Sequence, residues 1–197
     1  MPNDTKNRIL ETALRQFSQK GYEATNIRDL SAALGLTKSA FYKHYSGKEA
    51  LLDAVIAEMD AYYSARFTPD KGQTAAPQDV RQFKETAMEM FRFTVHDEKI
   101  VQVRRLLVTE QFHDARIAQL ASRHFNGVTV STFTGIFDGL IKNGALKKTD
   151  PEMLAFAFAS PVASLVHLCD REPEKIPEAE KKAEEFIDFF LNEYKSE

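Results

Sequence analysis

A short stretch of the chain gathers side chains that bind anions. Ammonium groups attract phosphates whatever the base sequence, while hydroxyl and imidazole groups donate hydrogen bonds to phosphate oxygens or base edges. The residues of this stretch are Thr37, Lys38, Ser39, Tyr42, Lys43, His44 and Lys48. Thr25 and Arg28, which precede it in the sequence, also carry groups that donate hydrogen bonds to anions. The pattern predicts binding to a polyanion such as a nucleic acid.

The charge of the chain is unevenly distributed. The whole sequence has 26 lysine and arginine residues and 29 acidic residues. Residues 1–48 alone contain eight basic residues and only four acidic ones. This asymmetry favours an anionic partner for the N-terminal segment alone, although a chance fluctuation of surface charge gives the same counts.

Composition indicates an ordinary globular chain, for which we expect a cytoplasmic location and no membrane span. The most apolar stretch, Met153 to Cys169, contains Pro161 and His167, which suits a buried helix better than a bilayer span. The single cysteine, Cys169, rules out an internal disulfide and fits a reducing compartment. For that thiol we favour inert packing over a redox-sensing role.

The elements that must position the anion-binding residues are helices. Apolar residues recur at helical spacing throughout, which predicts an all-α fold of about nine helices. Gly21 ends the first helix and Gly35 ends the second. A polar loop over 68–79 follows the fourth helix. Beyond that loop, helices are predicted over 79–96, 99–112, 114–142, 151–170 and 178–195.

The third helix, predicted from Thr37 to Tyr45, places the anion-binding residues outward. Helical geometry turns Phe41 and Tyr45 inward, whereas Ser39, Tyr42 and Lys43 fall on the opposite face. Three short helices with a tight glycine turn describe a helix-turn-helix, whose third helix fits the major groove of DNA. The sequence therefore predicts binding to double-stranded DNA.

Individual roles follow from the positions of the side chains. Lys38 and Ser39 at the helix N-terminus are expected to reach base edges, and Thr37 to bind a phosphate. The phosphate backbone is the expected partner of Tyr42, Lys43, His44 and Lys48. Thr25 and Arg28 are expected to clamp the flanking strand.

The segment Gly21 to Leu52 resembles the DNA-binding region of the TetR (tetracycline-repressor-like) family of transcriptional regulators. Two positions depart from the family pattern: Ser31 where alanine is common, and Tyr45 where phenylalanine is usual. A buried Tyr45 needs a partner for its hydroxyl. The resemblance is carried by Gly21-Tyr22, Thr25, Ile27, Leu30, Ala33, Gly35, Leu36, Phe41-Tyr42, His44, Lys48, Glu49 and Leu51-Leu52.

The resemblance implies a homodimeric repressor that binds a palindromic operator and is released from it by a small molecule. It also implies two domains: residues 1–48 as the DNA-binding domain, extending to about residue 66 with the fourth helix, and residues 67–197 as the effector-binding and dimerisation domain. The matching segment covers only the first quarter to third of the chain. The rest agrees with the family in length and number of helices alone.

The last two helices carry enough apolar surface for a dimer interface. Residues of the final helix recur at helical spacing, and the preceding helix is apolar almost all round. This apolar surface can be covered in two ways. Both helices can pair with their copies around a two-fold axis, or the central helix can be buried within the monomer. The candidate interface residues are Phe158, Val162, Leu165, Phe186, Phe189 and Phe190.

Aromatic and polar residues of the C-terminal part are candidates for lining an effector pocket, and the alternative is that they fill the core. His96, Arg104 and His113 are polar groups within apolar stretches, or they face solvent. The candidates are Tyr62, Phe91, His96, Arg104, His113, Phe133, Phe137 and His167.

Two other functions are alternatives to that of a ligand-responsive regulator. A ligand-independent dimeric DNA-binding protein would use its C-terminal part only for dimerisation. An all-α enzyme acting on a small molecule is disfavoured, because Glu110 and His113 have the spacing of a carboxylate-bridged metal site but no second such pair exists. We therefore expect no catalytic residue, metal or cofactor.

Overall fold

The computed structural model of the chain describes residues 2–67 and 76–196, with side chains for 4–58, 61–62, 76–124 and 127–196. The described part contains ten α-helices, so the predicted all-α fold is confirmed. The helices are α1 (Pro2–Lys20), α2 (Ile27–Ala33), α3 (Lys38–Tyr42), α4 (Lys48–Phe67), α5 (Val80–His96), α6 (Glu98–Glu110), α7 (Ala115–Ser122), α8 (Thr129–Lys142), α9 (Pro151–Arg171) and α10 (Ile176–Tyr194).

One predicted helix is divided in the structure. The helix expected over 114–142 consists of α7, a π-helical segment from Arg123 to Val128, and α8. The periodicity of apolar residues did not predict this π-helical segment. Residues 68–75 of the predicted loop lie outside the described residues.

The helices form two compact units. The first comprises residues 1–65 and 98–119, and the second comprises residues 66–97 and 120–197. Helix α6 and most of α7 thus belong with the N-terminal helices, whereas the sequence-based division assigned them to the second domain. That division at residues 66–67 remains a prediction.

The first unit is organised by two glycine turns and a small apolar core. Gly21 has a φ of 88° after α1 and Gly35 a φ of 66° after α2, a backbone conformation that favours glycine. The capping residues Asn26 and Thr37 accept hydrogen bonds from backbone N–H groups in the first turns of α2 and α3. Fully buried side chains of this core include Ile9, Phe17, Leu30, Phe41, Leu51 and Leu52.

The second unit has an aromatic core to which α5, α8, α9 and α10 contribute. Phe158 of α9 lies at its centre, with ring centroids 4.8 Å from Phe133 and 5.2 Å from both Phe83 and Phe190. Around this cluster pack aliphatic residues such as Leu140, Leu154 and Ile187. The rings meet at edge-on and tilted angles, and edge-to-face contact is an arrangement that aromatic pairs prefer.

Helix α9 is buried on one face and exposed on the other. It is long and apolar enough to cross a membrane by length and composition alone. Leu154, Ala155 and Phe158 pack into the core, whereas Met153 and Phe156 are more than half exposed. The predicted burial of this helix therefore holds for one face of the helix only.

Burial corrects two of the candidate interface residues. Phe158 is fully buried and Phe190 is 4% exposed, so neither side chain is available to a partner subunit and the prediction for these two is wrong. Val162, Leu165 and Phe186 are partly buried against the core, and Phe189 is 71% exposed. Phe189 and Phe190 lie on different sides of α10 because adjacent residues of a helix differ by about 100°.

Candidate nucleic-acid interface

The third helix presents a polar surface while its apolar side is fixed in the core. Phe41 is fully buried and Tyr45 nearly so, with ring centroids 6.2 Å apart. The regular helix ends at Tyr42, and the N–H of Tyr45 still donates to the carbonyl of Phe41 at 3.2 Å. The inward direction predicted for Phe41 and Tyr45 is confirmed.

Most of the residues predicted to bind DNA have exposed side chains. Tyr42 is 51% exposed. Arg28, Lys38, Ser39 and Lys43 are exposed too, and His44 is half-buried. These residues form a mixed basic and hydroxyl surface, the combination that suits phosphates and base edges. Their contacts to DNA remain predictions.

Thr37 combines two local hydrogen bonds at the start of α3. Its hydroxyl oxygen accepts from the N–H of Ala40 at 3.2 Å, and it lies 3.0 Å from the hydroxyl of Ser39. The threonine therefore fixes the first turn of α3 and orients Ser39. Its predicted phosphate contact would have to share the hydroxyl with these bonds.

Thr25 cannot make the predicted contact to DNA with its side chain. It is only 1% exposed, and its hydroxyl donates to the carbonyl of Gly21 at 2.9 Å. The N–H of Thr25 also donates to the carbonyl of Tyr22 at 3.2 Å. Thr25 therefore closes the turn between α1 and α2, and the prediction that its side chain clamps the flanking strand is wrong.

Lys48 has contacts within the protein that sequence reasoning did not foresee. Its ammonium donates to the carbonyls of Tyr22 at 2.9 Å and Glu23 at 3.4 Å, and it lies 4.2 Å from the centre of the Tyr22 ring. Lys48 therefore ties the start of α4 to the α1–α2 turn. Any phosphate contact would be additional to this role, and it remains a prediction.

Two buried hydroxyl groups of this unit have no hydrogen-bond partner among the described residues. They are Tyr45 Oη and Ser31 Oγ, and both positions are those that depart from the family pattern. The partner expected for the Tyr45 hydroxyl is therefore not found. Burial, followed by the charge of Glu58, raises the pKa of Tyr45. An unpaired buried hydroxyl loses its bonds to water and gains nothing in return.

We expect Tyr45→Phe and Ser31→Ala each to raise the free energy of unfolding by about 0.5–2 kcal/mol, because each removes an unpaired buried hydroxyl. Urea unfolding followed by circular dichroism measures the change. Tyr42→Phe is the matched control, since its hydroxyl faces solvent, and we expect less than about 0.5 kcal/mol. Equal or lower stability of both core variants would show that the hydroxyls are satisfied.

Among the predicted pocket residues, Tyr62 lies beside a cavity of the first unit. It lines a small open cavity of about 80 Å³ in the first unit, over an apolar floor of Leu10, Leu14 and Val55. Lys99 lies 5.4 Å from the centre of the Tyr62 ring and 3.7 Å from Glu11. The remaining lining residues are Asn7, Glu11, Glu58 and Lys99. This cavity holds no more than a few non-hydrogen atoms.

The aromatic candidates for the pocket fill the core of the second unit. Phe91, Phe133 and Phe137 are at most 5% exposed, and the rings of Phe133 and Phe137 lie 6.2 Å apart. Both rings also contact that of Phe83, which sequence reasoning did not single out. Their positions favour the alternative that they pack the core, while a role in binding an effector stays a prediction.

The polar candidates are dispersed over both units. His96 is exposed and lies 2.6 Å from Glu180, and this hydrogen bond, with that of Arg92, lowers the pKa of Glu180. His113 is exposed on the α6–α7 turn. Arg104 is buried. His167 is half-buried, 3.9 Å from Asp170. The exposed positions of His96 and His113 fit solvent-facing residues better than a pocket lining.

The described residues contain no group of three or more metal-ligating side chains. Glu110 is buried whereas His113 is exposed, so the pair noted in the sequence does not share a site. The thiol of Cys169 is 4% exposed within α9.

Comparison with known proteins agrees with this architecture. A family profile of bacterial regulatory proteins of the tetR family matches residues 9–55, and one of the AefR-like transcriptional repressor C-terminal domain matches residues 81–196. AcrR, an HTH-type transcriptional regulator of Shigella flexneri, is 32% identical over 117 residues, which are 56% of this chain and 49% of AcrR. The matched stretches span between 17% and 49% of the first relatives' length.

Solved structures show the same fold at low sequence identity. SmeT in complex with triclosan superposes with a TM-score of 0.79 at 17% identity, over 98% of this chain and 93% of SmeT. SmeT represses the multidrug efflux pump SmeDEF of Stenotrophomonas maltophilia. A protein from Saccharomonospora viridis with choline bound has a TM-score of 0.76 at 18% identity, over 99% of both chains.

The profile of the C-terminal domain alone covers more than half of the sequence, and the N-terminal profile coincides with the helix-turn-helix. The resemblance drawn from Gly21 to Leu52 is thereby confirmed, and the chain belongs to the TetR family of DNA-binding transcriptional regulators.

Proposed function

We propose that this protein is a dimeric repressor that binds a two-fold symmetric operator and leaves it when a small molecule binds in its C-terminal part. The observation that carries the proposal is the exposed polar side of α3, with Lys38, Ser39, Tyr42 and Lys43 outward and Phe41 fixed in the core. A rigid helix of that kind can insert its N-terminal residues into the major groove.

Dimerisation is supported by the exposed apolar residues of α9 and α10. Phe158 of α9 contacts both Phe186 and Phe190 of α10, so the two helices pack together. Phe156 of α9 and Phe189 of α10 are exposed. Apolar side chains at such exposure suit a surface that a second copy covers. A symmetric dimer would place its two recognition helices about 34–36 Å apart, one turn of DNA.

Release by a ligand is supported by the fold neighbours. The structure of SmeT holds triclosan, and that of the Saccharomonospora viridis protein holds choline. We propose that this chain also responds to a small organic molecule. A ligand-independent regulator is the second candidate, because the rings of Phe133, Phe137 and Phe158 fill the centre of the second unit.

Selection of duplexes from random DNA tests the function. The purified protein should enrich a two-fold symmetric sequence, and compounds should then be screened for loss of the bound complex. Enrichment without any releasing compound favours the ligand-independent candidate. Failure to enrich any sequence would overturn the proposal, because attraction by charge alone is blind to sequence.

Lys38 on α3 and Lys43 just after α3 are both exposed. We expect their replacement by alanine to change binding to the selected duplex in different ways. Lys43→Ala removes a phosphate contact, so we expect weaker binding to all duplexes and a dependence on salt reduced by about one ion. Lys38→Ala removes a base contact, so we expect altered sequence preference. Fluorescence anisotropy across a salt series measures both.

Lys142 is an exposed lysine on α8, and Lys142→Ala is the control for the loss of one positive charge. A uniform loss for Lys38→Ala, together with changed preference for Lys43→Ala, would reverse the two assignments.

A further inference from the structure

Glu110, at the end of α6, holds the turn that leads into the DNA-binding helices. Its side chain is buried, and its Oε1 accepts a hydrogen bond from the backbone N–H of Tyr22 at 3.2 Å. The two residues are 88 positions apart in the sequence and lie in the same compact unit. We propose that Glu110 is a positioning residue for operator binding: it sets the α1–α2 turn and, through it, α2 and α3.

The geometry of the turn is fitted to this carboxylate. Gly21 precedes Tyr22 with a φ of 88°, and a Cβ atom built on Gly21 would lie 2.9 Å from Glu110 Oε1. The carboxylate thus occupies the space that any other residue at position 21 would need. A glycine is required there both for the left-handed backbone and for the close approach of Glu110.

Other helices contact Tyr22 at its backbone and near its hydroxyl. Lys48 of α4 donates to its carbonyl at 2.9 Å, and Arg116 of α7 acts against the burial that raises the pKa of the Tyr22 hydroxyl. Arg116 is in turn fixed by Asp114, with Nη2 2.7 Å from the carboxylate. The Tyr22 ring packs edge-on against Phe17 at 5.3 Å. Within this set, Glu110 is the acceptor for the backbone N–H.

The α1–α2 turn is linked to α3 by adjacent residues and by short hydrogen bonds. Thr25 is bonded to the carbonyls of both Gly21 and Tyr22, and the next residue, Asn26, caps α2. The N–H of Leu36, which begins the approach to α3, donates to Ser31 of α2 at 2.9 Å. A changed turn therefore shifts the start of α2, and with it the direction of the recognition surface.

The experiment rests on the proposed function and uses the full chain with two probes: the duplex that the wild-type protein selects, and the same duplex with its sequence scrambled. We expect Glu110→Ala to weaken binding to the selected duplex about tenfold or more, which corresponds to one lost hydrogen bond to a charged group. Binding to the scrambled duplex should stay within about twofold, because it depends on charge.

Two conservative variants separate the position of the acceptor from charge and from folding. Glu110→Gln keeps an acceptor oxygen at the same reach, and we expect its affinity for the selected duplex to stay within about threefold of the wild type. Glu110→Asp keeps the charge but shortens the side chain, and we expect it to behave like Glu110→Ala. Circular dichroism at the assay temperature checks the fold, and the Asp variant replaces the Ala variant if the latter unfolds.

The inference is overturned if Glu110→Ala and Glu110→Asp both bind the selected duplex like the wild type, or if each loses affinity for both duplexes equally. An equal loss would indicate a role in stability alone. The proposed function fails differently, because then the wild-type protein itself does not discriminate between the selected and the scrambled duplex.

Discussion

Phe158→Ala is expected to lower the free energy of unfolding by about 3–5 kcal/mol, the largest loss of stability that a single substitution in this chain should produce. The ring is fully buried and contacts five other phenylalanine rings, those of Phe83, Phe133, Phe137, Phe186 and Phe190. Removing it leaves a cavity that rigid neighbouring rings cannot fill, and it also removes several edge-to-face contacts.

Urea unfolding followed by circular dichroism measures this loss. Because the chain has two compact units, the transition of the second unit is the one that should shift. Phe112→Ala is the matched control, since that phenylalanine is 84% exposed and its loss should change stability by less than about 0.5 kcal/mol. Comparable effects of the two substitutions would mean that Phe158 is not at the centre of the core.

If the chain dimerises through α10 as proposed, Phe189→Glu is expected to raise the dissociation constant of that dimer by about a hundredfold or more. Phe189 is 71% exposed on α10, so a charge there is tolerated by the protomer. At an interface between two copies the same charge is buried twice across the two-fold axis, and each factor of ten costs about 1.4 kcal/mol. Sedimentation velocity over a range of concentrations measures the change.

The protomer should keep its helical content, because Phe189 does not belong to the core. Ser131→Glu, which adds the same charge at an exposed position of α8, is the control and should leave the dimer intact. If Phe189→Glu still forms dimers like the wild type, the two copies do not meet through this face of α10. Loss of operator binding together with loss of the dimer would link the two proposals.

The exposed and the buried residues around α3 are suited to different roles in binding DNA. Lys38, Ser39, Tyr42 and Lys43 offer donors to solvent, and the two lysines place positive charge on this surface of a chain whose net charge is −3. Behind them, Thr25, Lys48 and Glu110 bond to the backbone of one turn. The first group is suited to affinity and sequence preference, and the second to holding the helices at one angle.

Much of this protein was determined by the sequence alone, because the features concerned are local. The helical class and most helix boundaries follow from apolar residues at helical spacing. The two turns follow from Gly21 and Gly35. The inward side of α3 follows from a step of about 100° per residue. The family followed from a motif that lies within about thirty residues.

Tertiary structure decided whatever depends on residues that are distant in the chain. Thr25 and Lys48 looked like DNA contacts by type and position, yet their polar groups bond to carbonyls of the Gly21–Glu23 turn. Glu110 and Tyr22 are 88 positions apart, and no periodicity relates them. The spacing of apolar residues along α10 did not show that Phe190 enters the core while Phe189 remains on the surface. Local spacing fixes the direction of a side chain from its own helix, but only the packing of other helices determines which atoms it meets.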